Sequence, residues 1–192
     1  PDPATGKPDP AALSAFFAQH PESAAFRQWA KDYSPSDSFA NSAFNSINAF
    51  YLVDASGGRQ AVRWSLIPQA AFAPLPPQIS DKDVLQHDLQ QRLAQGPLRW
   101  TLRLTLADPD DPVDDPAQPW PATRQQVDAG TLVIEQVDAP EHGACRDLNF
   151  DPLILPDGLE ASGDPILAAR SSAYAESFKR RSHEGAPQGA TP

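Results

Sequence analysis

Near its C-terminal end the chain reads Asp164-Pro-Ile-Leu-Ala-Ala-Arg170-Ser-Ser-Ala-Tyr174-Ala-Glu-Ser-Phe178-Lys-Arg-Arg181. Asp164 followed by a proline is a helix-start signal. On that helix Arg170 and Tyr174 stand four residues apart and are neighbours on one face. Arg181 lies seven beyond Tyr174, on the same face and about 10 Å further along at 1.5 Å rise per residue. Leu167, Ser171 and Phe178 fill in the face. A free phenol ionises only near pH 10 and is a poor metal ligand at neutral pH. A guanidinium within about 4–6 Å favours the charged form of an acid by about 1–3 pKa steps, and a ferric ion favours it further. Arginine suits this work because it stays charged and does not take the proton back. A second arginine two turns on offers paired hydrogen bonds to a carboxylate. The plainer alternative is a surface arginine lying over a half-buried tyrosine, and the helix by itself does not choose between the two.

The rest of the chain must hold that helix in place. The sequence has 192 residues, 40% of them hydrophobic, which suits one domain with a real core. Its 22 prolines imply firmly punctuated elements joined by loops. Asp9 and Pro10 start a helix with Leu13, Phe16 and Phe17 on its apolar face. Pro21 restarts a second, with Phe26, Trp29, Ala30 and Tyr33 along one side. Residues 47–53 and 60–67 read as strands of a hairpin around the turn Asp54-Ala-Ser-Gly-Gly. Residues 68–77 form an irregular proline-rich connection. Asp81 is read as the cap of a helix over 82–95 that ends at Gly96. Residues 98–106 alternate most cleanly, with Leu98, Trp100, Leu102, Leu104 and Leu106 on one face. An acidic, proline-rich loop spans 108–121, a fourth strand spans 130–136, and a proline-punctuated stretch over 150–163 leads to the last helix. Four strands with segregated helices predict an antiparallel α+β fold.

The formal net charge of −10 argues against nucleic acid as a partner. No run is apolar enough to suggest a membrane contact. The single cysteine, Cys145, excludes an internal disulfide and reads as an ordinary thiol. The four histidines, His20, His87, His142 and His183, share no metal-ligand spacing and are expected at the surface. The chain begins at Pro1 and has no methionine, so an upstream portion is expected.

The last helix resembles the proximal haem helix of the catalase superfamily, in particular that of compact catalase-related peroxidases. Residues 150–162, Phe-Asp-Pro-Leu-Ile-Leu-Pro-Asp-Gly-Leu-Glu-Ala-Ser, resemble the run that leads into that helix. Gly130-Thr-Leu-Val-Ile resembles the family's last barrel strand, Pro119-Trp-Pro the segment before it, and residues 44–57 the strand that opens the second half of the barrel. The resemblance covers residues 39–181. It implies a catalase-like antiparallel β-barrel, here its second half in four strands with flanking helices. The division it implies is a helical connection over 1–38, half a barrel with an inserted helix over 39–137, the segment and haem helix over 138–181, and a disordered tail over 182–192.

The resemblance implies haem b as cofactor, with Tyr174 as ligand of the ferric iron, Arg170 as its charge partner and Arg181 at a propionate. Tyrosine ligation is the known arrangement of catalase haem. Phe178 falls on the same cofactor-facing side. Asp164 matches an acidic position that supports the arginine. Asn48 stands where many catalases carry a histidine close to haem and arginine; an asparagine hydrogen-bonds there without carrying charge. The implied function is a haem peroxidase that reduces hydrogen peroxide or organic peroxides with a small organic electron donor. The distal histidine that moves the peroxide proton belongs to the first half of the barrel, so this stretch alone is expected to be inactive. The resemblance to compact members, which often carry export signals, implies the periplasm, with the cytoplasm as the alternative. Two rival readings are a non-enzymatic antiparallel binding domain and a haem protein that rearranges fatty hydroperoxides, as in allene oxide synthase.

Overall fold

The computed structural model describes residues 5–138 and 148–184. These fall into two units, divided after Pro35.

The first unit is a helical pair. α1 (Pro10–Gln19) starts as the sequence predicts: Asp9 caps it by accepting the Ala11 N–H at 2.9 Å, and Pro10 occupies the first turn. A 3-10 turn over Pro21–Ser23 leads into α2 (Ala24–Asp32). The aromatic rings of each helix stack mostly on rings of the same helix. Phe16 stacks on His20 at 4.1 Å between centroids, and Trp29 on Tyr33 at 4.6 Å. The Arg27 guanidinium joins the two helices by lying over the Phe17 ring. Neither helix has a buried residue.

The second unit is one antiparallel sheet with two helices, the α+β class expected. Its strands are β1 (Phe44–Asn45), β2 (Phe50–Val53), β3 (Arg59–Pro68), β4 (Leu98–Leu106), β5 (Gln126–Ile134) and β6 (Leu159–Ala161). The order is β5-β4-β3-β2-β6, with β1 also on β3. Six strands rather than four make up the sheet, and among the described residues it stays open, as expected of half a barrel. The two unforeseen strands are too short to alternate visibly: β1 has two residues and β6 three. β2 begins at Phe50, not residue 47, because the chain turns at Asn48 between its pairing as β1 and as β2. β5 begins at Gln126, four residues before the expected start; a register shift opposite Leu102 and Arg103 hides its alternation.

β2 and β3 join through a turn in which the Asp54 carboxylate accepts the N–H groups of Ser56 and Gly58 at 2.8 and 2.9 Å. Gly57 there has φ +85°, which glycine adopts without steric cost. α3 (Val84–Leu93) is shorter than expected. Asp81 does not cap it: its carboxylate accepts the Asp83 N–H at 2.9 Å and pairs with exposed His87 at 2.8 Å.

Register puts Phe50, Val62, Trp64, Leu66, Leu102, Leu104 and Leu106 on one face of the sheet. The last helix, α4 (Pro165–Glu184), packs there at its first turn. Leu167 is fully buried against Phe50 and Val62, with Leu52, Trp64, Leu106, Leu155, Leu159 and Ala161 around them. Burying such a leucine contributes about 2 kcal/mol. Further along, the same face forms an open apolar groove of about 530 Å³ lined by Trp64, Leu66, Leu102 and Leu132. α4 runs on to Glu184, beyond the expected end, so His183 is helical rather than in a tail. His142 and Cys145 lie outside the described residues, as does the remainder of the expected tail. His20 lies at the surface, its side chain 42% exposed and its Nδ1 bonded to Glu22 at 2.7 Å.

Candidate functional site

The site grows from the start of α4. Asp164 stands at the N-cap and is 1% exposed. Its Oδ1 accepts the backbone N–H of Ile166 at 2.8 Å and, more weakly, that of Leu167 at 3.4 Å. These are donors a helix start leaves unpaired, and a carboxylate is favoured there by the helix dipole. Its Oδ2 accepts from Asn48 Nδ2 at 2.6 Å.

Asn48, also 1% exposed, enters from the bend before β2. Ser46 fixes that bend by donating its hydroxyl to the Asn48 carbonyl at 2.5 Å. With its amide nitrogen on Asp164, Asn48 turns its Oδ1 to Arg170, whose Nη1 donates to it at 2.6 Å. One side-chain amide thus bridges a buried carboxylate and a guanidinium, and each of its ends meets the partner its chemistry requires. Asp164 acts as cap and as support for the arginine at once, and the support passes through Asn48.

The chain of bonds ends beside Tyr174. The Arg170 guanidinium carbon lies 5.8 Å from the centre of the Tyr174 ring, and both side chains are half-buried. Phe178 is half-buried one turn further on. Arg181 donates from Nη1 to Ser177 Oγ and from Nη2 to the Leu148 carbonyl, both at 2.9 Å. Among the described residues those two bonds leave N–H donors of its guanidinium for another acceptor. Beside this face a shallow groove of about 480 Å³ is lined by Ala173, Glu176, Ser177, Arg180 and Arg181. All five residues predicted for the site are therefore brought to one helix and the bend beneath it: four lie along α4, and Asn48 underlies Arg170.

Sequence reasoning missed three contributors. Asp151 accepts the Ser171 hydroxyl at 2.6 Å and the Leu153 N–H at 2.9 Å, which ties the segment before β6 to α4. It sits inside the Phe-Asp-Pro run, so its motif was visible though its partner was not. Arg63 and Asp114 had no signal. Arg63 is partly buried, and that burial pushes its guanidinium pKa down while Asp164, Asp111 and Asp115 push it up. Arg63 thus adds a positive charge near the buried Asp164 carboxylate, which no direct ion pair neutralises among the described residues.

The donor set suits a ferric haem. A phenol with a guanidinium on its own face offers an oxygen donor beside a fixed positive charge, and the small side chains Ala173 and Ser177 leave room beside it.

A family model described as catalase matches residues 1–187 of the chain. A catalase-related peroxidase of Synechococcus elongatus is 36% identical over 184 residues, covering 94% of this chain and 54% of that protein. One from Mycolicibacterium paratuberculosis is 36% identical over 148 residues, covering 75% of this chain and 47% of that protein. The chain thus spans about half the length of the curated relatives it matches. Among solved structures, a fungal catalase superposes with a TM-score of 0.76 at 20% identity, over 94% of this chain and 39% of its own. A bacterial catalase superposes with a TM-score of 0.74 at 16% identity, over 92% of this chain and 39% of its own. The β-sheet and the α4 helix, together with these matches, place the chain in the catalase family.

Proposed function

We propose that this chain is the haem-holding portion of a catalase-related peroxidase, in which Tyr174 would hold the iron of haem b. The observation that carries the reading is the bonded series Asp164–Asn48–Arg170, which ends beside the Tyr174 ring. The relatives named as catalase-related peroxidases support the peroxidase assignment.

Bound haem supplies a ferric centre that exchanges electrons with peroxide and then with a small organic donor. The chain's own residues hold and tune. Tyr174 would hold the iron through its phenolic oxygen. Arg170 would place a fixed positive charge beside that ring, because a guanidinium keeps its own proton. Asn48 fixes where that guanidinium points; being untitratable, it holds this geometry without changing charge. Asp164 balances the arginine through the amide. Arg181, two turns along, would offer guanidinium donors to a propionate. Phe178 and Ala173 would flank the bound group.

Haem titration by absorbance tests the reading, on the full-length protein, wild type against Tyr174→Phe. Uptake of ferric haem by the wild type, with loss of the phenolate–iron spectrum in the variant, supports it. An unchanged spectrum in the variant makes Tyr174 a packed helix residue and turns attention to a binding role for the open sheet. Peroxide assays follow, with fatty hydroperoxides included to separate reduction from rearrangement.

A further inference from the structure

Gly163 immediately precedes Asp164 and donates its backbone N–H to the Asp114 carboxylate at 2.7 Å. Asp114 belongs to the acidic proline-rich loop, 49 residues earlier in the chain. That loop has no strand or helix of its own, yet side chains fix it at several points. At its far end Arg124 grips Asp111 through Nε and Nη2 at 2.7 and 2.9 Å and Asp108 through Nη1 at 2.6 Å. In its middle, Arg63 donates from β3 to the carbonyls of Gln118 and Asp115 at 2.9 and 3.1 Å. The Trp120 ring lies 4.5 Å from the Arg63 guanidinium carbon, and its own N–H donates to the Pro112 carbonyl at 3.0 Å. A side chain added at position 163 would meet the Asp114 carboxylate at 2.9 Å, so that carboxylate must shift to admit one and its bond to the Gly163 N–H is disturbed.

We propose that this loop is a strap that positions the start of α4, with Asp114 on Gly163 as its latch. Fixing Gly163 fixes where Asp164 stands, and Asp164 aims Asn48 and Arg170 in turn. Asp114, Gly163 and Arg63 are thus positioning residues for the Tyr174 face. The consequence for haem rests on the proposed role of Tyr174; the strap itself does not.

Two measurements on the full-length protein test this. The first is amide hydrogen exchange at Ile166 and Leu167, whose N–H groups Asp164 holds. Asp114→Ala and Gly163→Ala each speed it by about three- to tenfold, the range of one ordinary, solvent-exposed hydrogen bond. The double variant is no faster than the faster single one. Asp114→Asn, which keeps an acceptor oxygen, stays close to wild type. The second is haem affinity, which weakens by a similar factor in both single variants. It does not weaken in Arg103→Ala, which breaks an exposed ion pair between β4 and β5. Unchanged exchange overturns the proposal. Faster exchange with unchanged haem affinity also overturns it, because the latch then does not reach Arg170. If Tyr174→Phe leaves haem binding untouched, the ligand reading falls and the exchange rates alone judge the strap.

Discussion

α2 and α4 both carry apolar side chains at helical spacing, and the two patterns lead to opposite surroundings. Along α2, Phe26 and Trp29 are 65% and 55% exposed, and their rings tilt toward one another at 5.7 Å. On α4, Leu167 is fully buried at the first turn, and the polar residues beside it are bonded atom to atom. The difference lies in what faces each helix. The opening of α4 meets a ready apolar sheet surface and a buried amide, whereas α2 has only α1 within its own unit. Amphipathic spacing shows which side of a helix can be buried. Whether it is buried depends on a partner surface.

The largest expected effects fall at the start of α4. Asp164→Ala removes a cap and strands the Asn48 amide in a buried place; the cost is about 3 kcal/mol of unfolding free energy, read by denaturant titration. Leu167→Ala, which opens a cavity against Phe50 and Val62, costs about 2–5 kcal/mol by the same measurement. A cost below 1 kcal/mol for either would erase the contrast between the two helices. Asn48→Leu leaves Arg170 and Asp164 unbridged and destabilises by about 2 kcal/mol. It also weakens haem uptake in the absorbance titration, where a merely structural residue would leave the phenolate–iron band in place.

Substitution of the α2 rings sharpens the contrast from the other side. Trp29→Ala changes stability by less than about 0.5 kcal/mol, as for a largely exposed side chain whose neighbouring rings are themselves exposed. A larger cost in the full-length protein would show that some further surface covers α2.

The smallest effect concerns the exposed pair at the head of α3. His87 is raised from 6.5 by its bond to Asp81, and Asp81 is lowered from 3.8 by the same bond. The His87 contribution is fully present below 6.5 and is lost as pH rises through the raised folded value. The Asp81 contribution is present above 3.8 and is lost as pH falls through the lowered one. His87→Ala therefore lowers the melting temperature slightly near pH 5, leaves it unchanged near pH 9, and loses its effect in high salt. A difference that persists at pH 9 assigns the effect to helix packing.

Much of this was legible in the sequence because the signals were local. Asp9-Pro10 and Asp164-Pro165 mark helix starts through their own backbone donors. The alternation over 98–106 marks β4 because its side chains face a core on one side only. The spacing of Arg170, Tyr174 and Arg181 puts them on one face whatever the rest of the chain does. Only the tertiary structure decided that Asn48, 122 residues before Arg170, would bridge that arginine to Asp164. It alone brought Asp114 to Gly163 and paired β6 with β2. These contacts join residues whose separation along the chain carries no periodic trace. They exist because the sheet register and the burial of Leu167 bring their elements together, and a polar group caught in that burial is costly unless it is bonded.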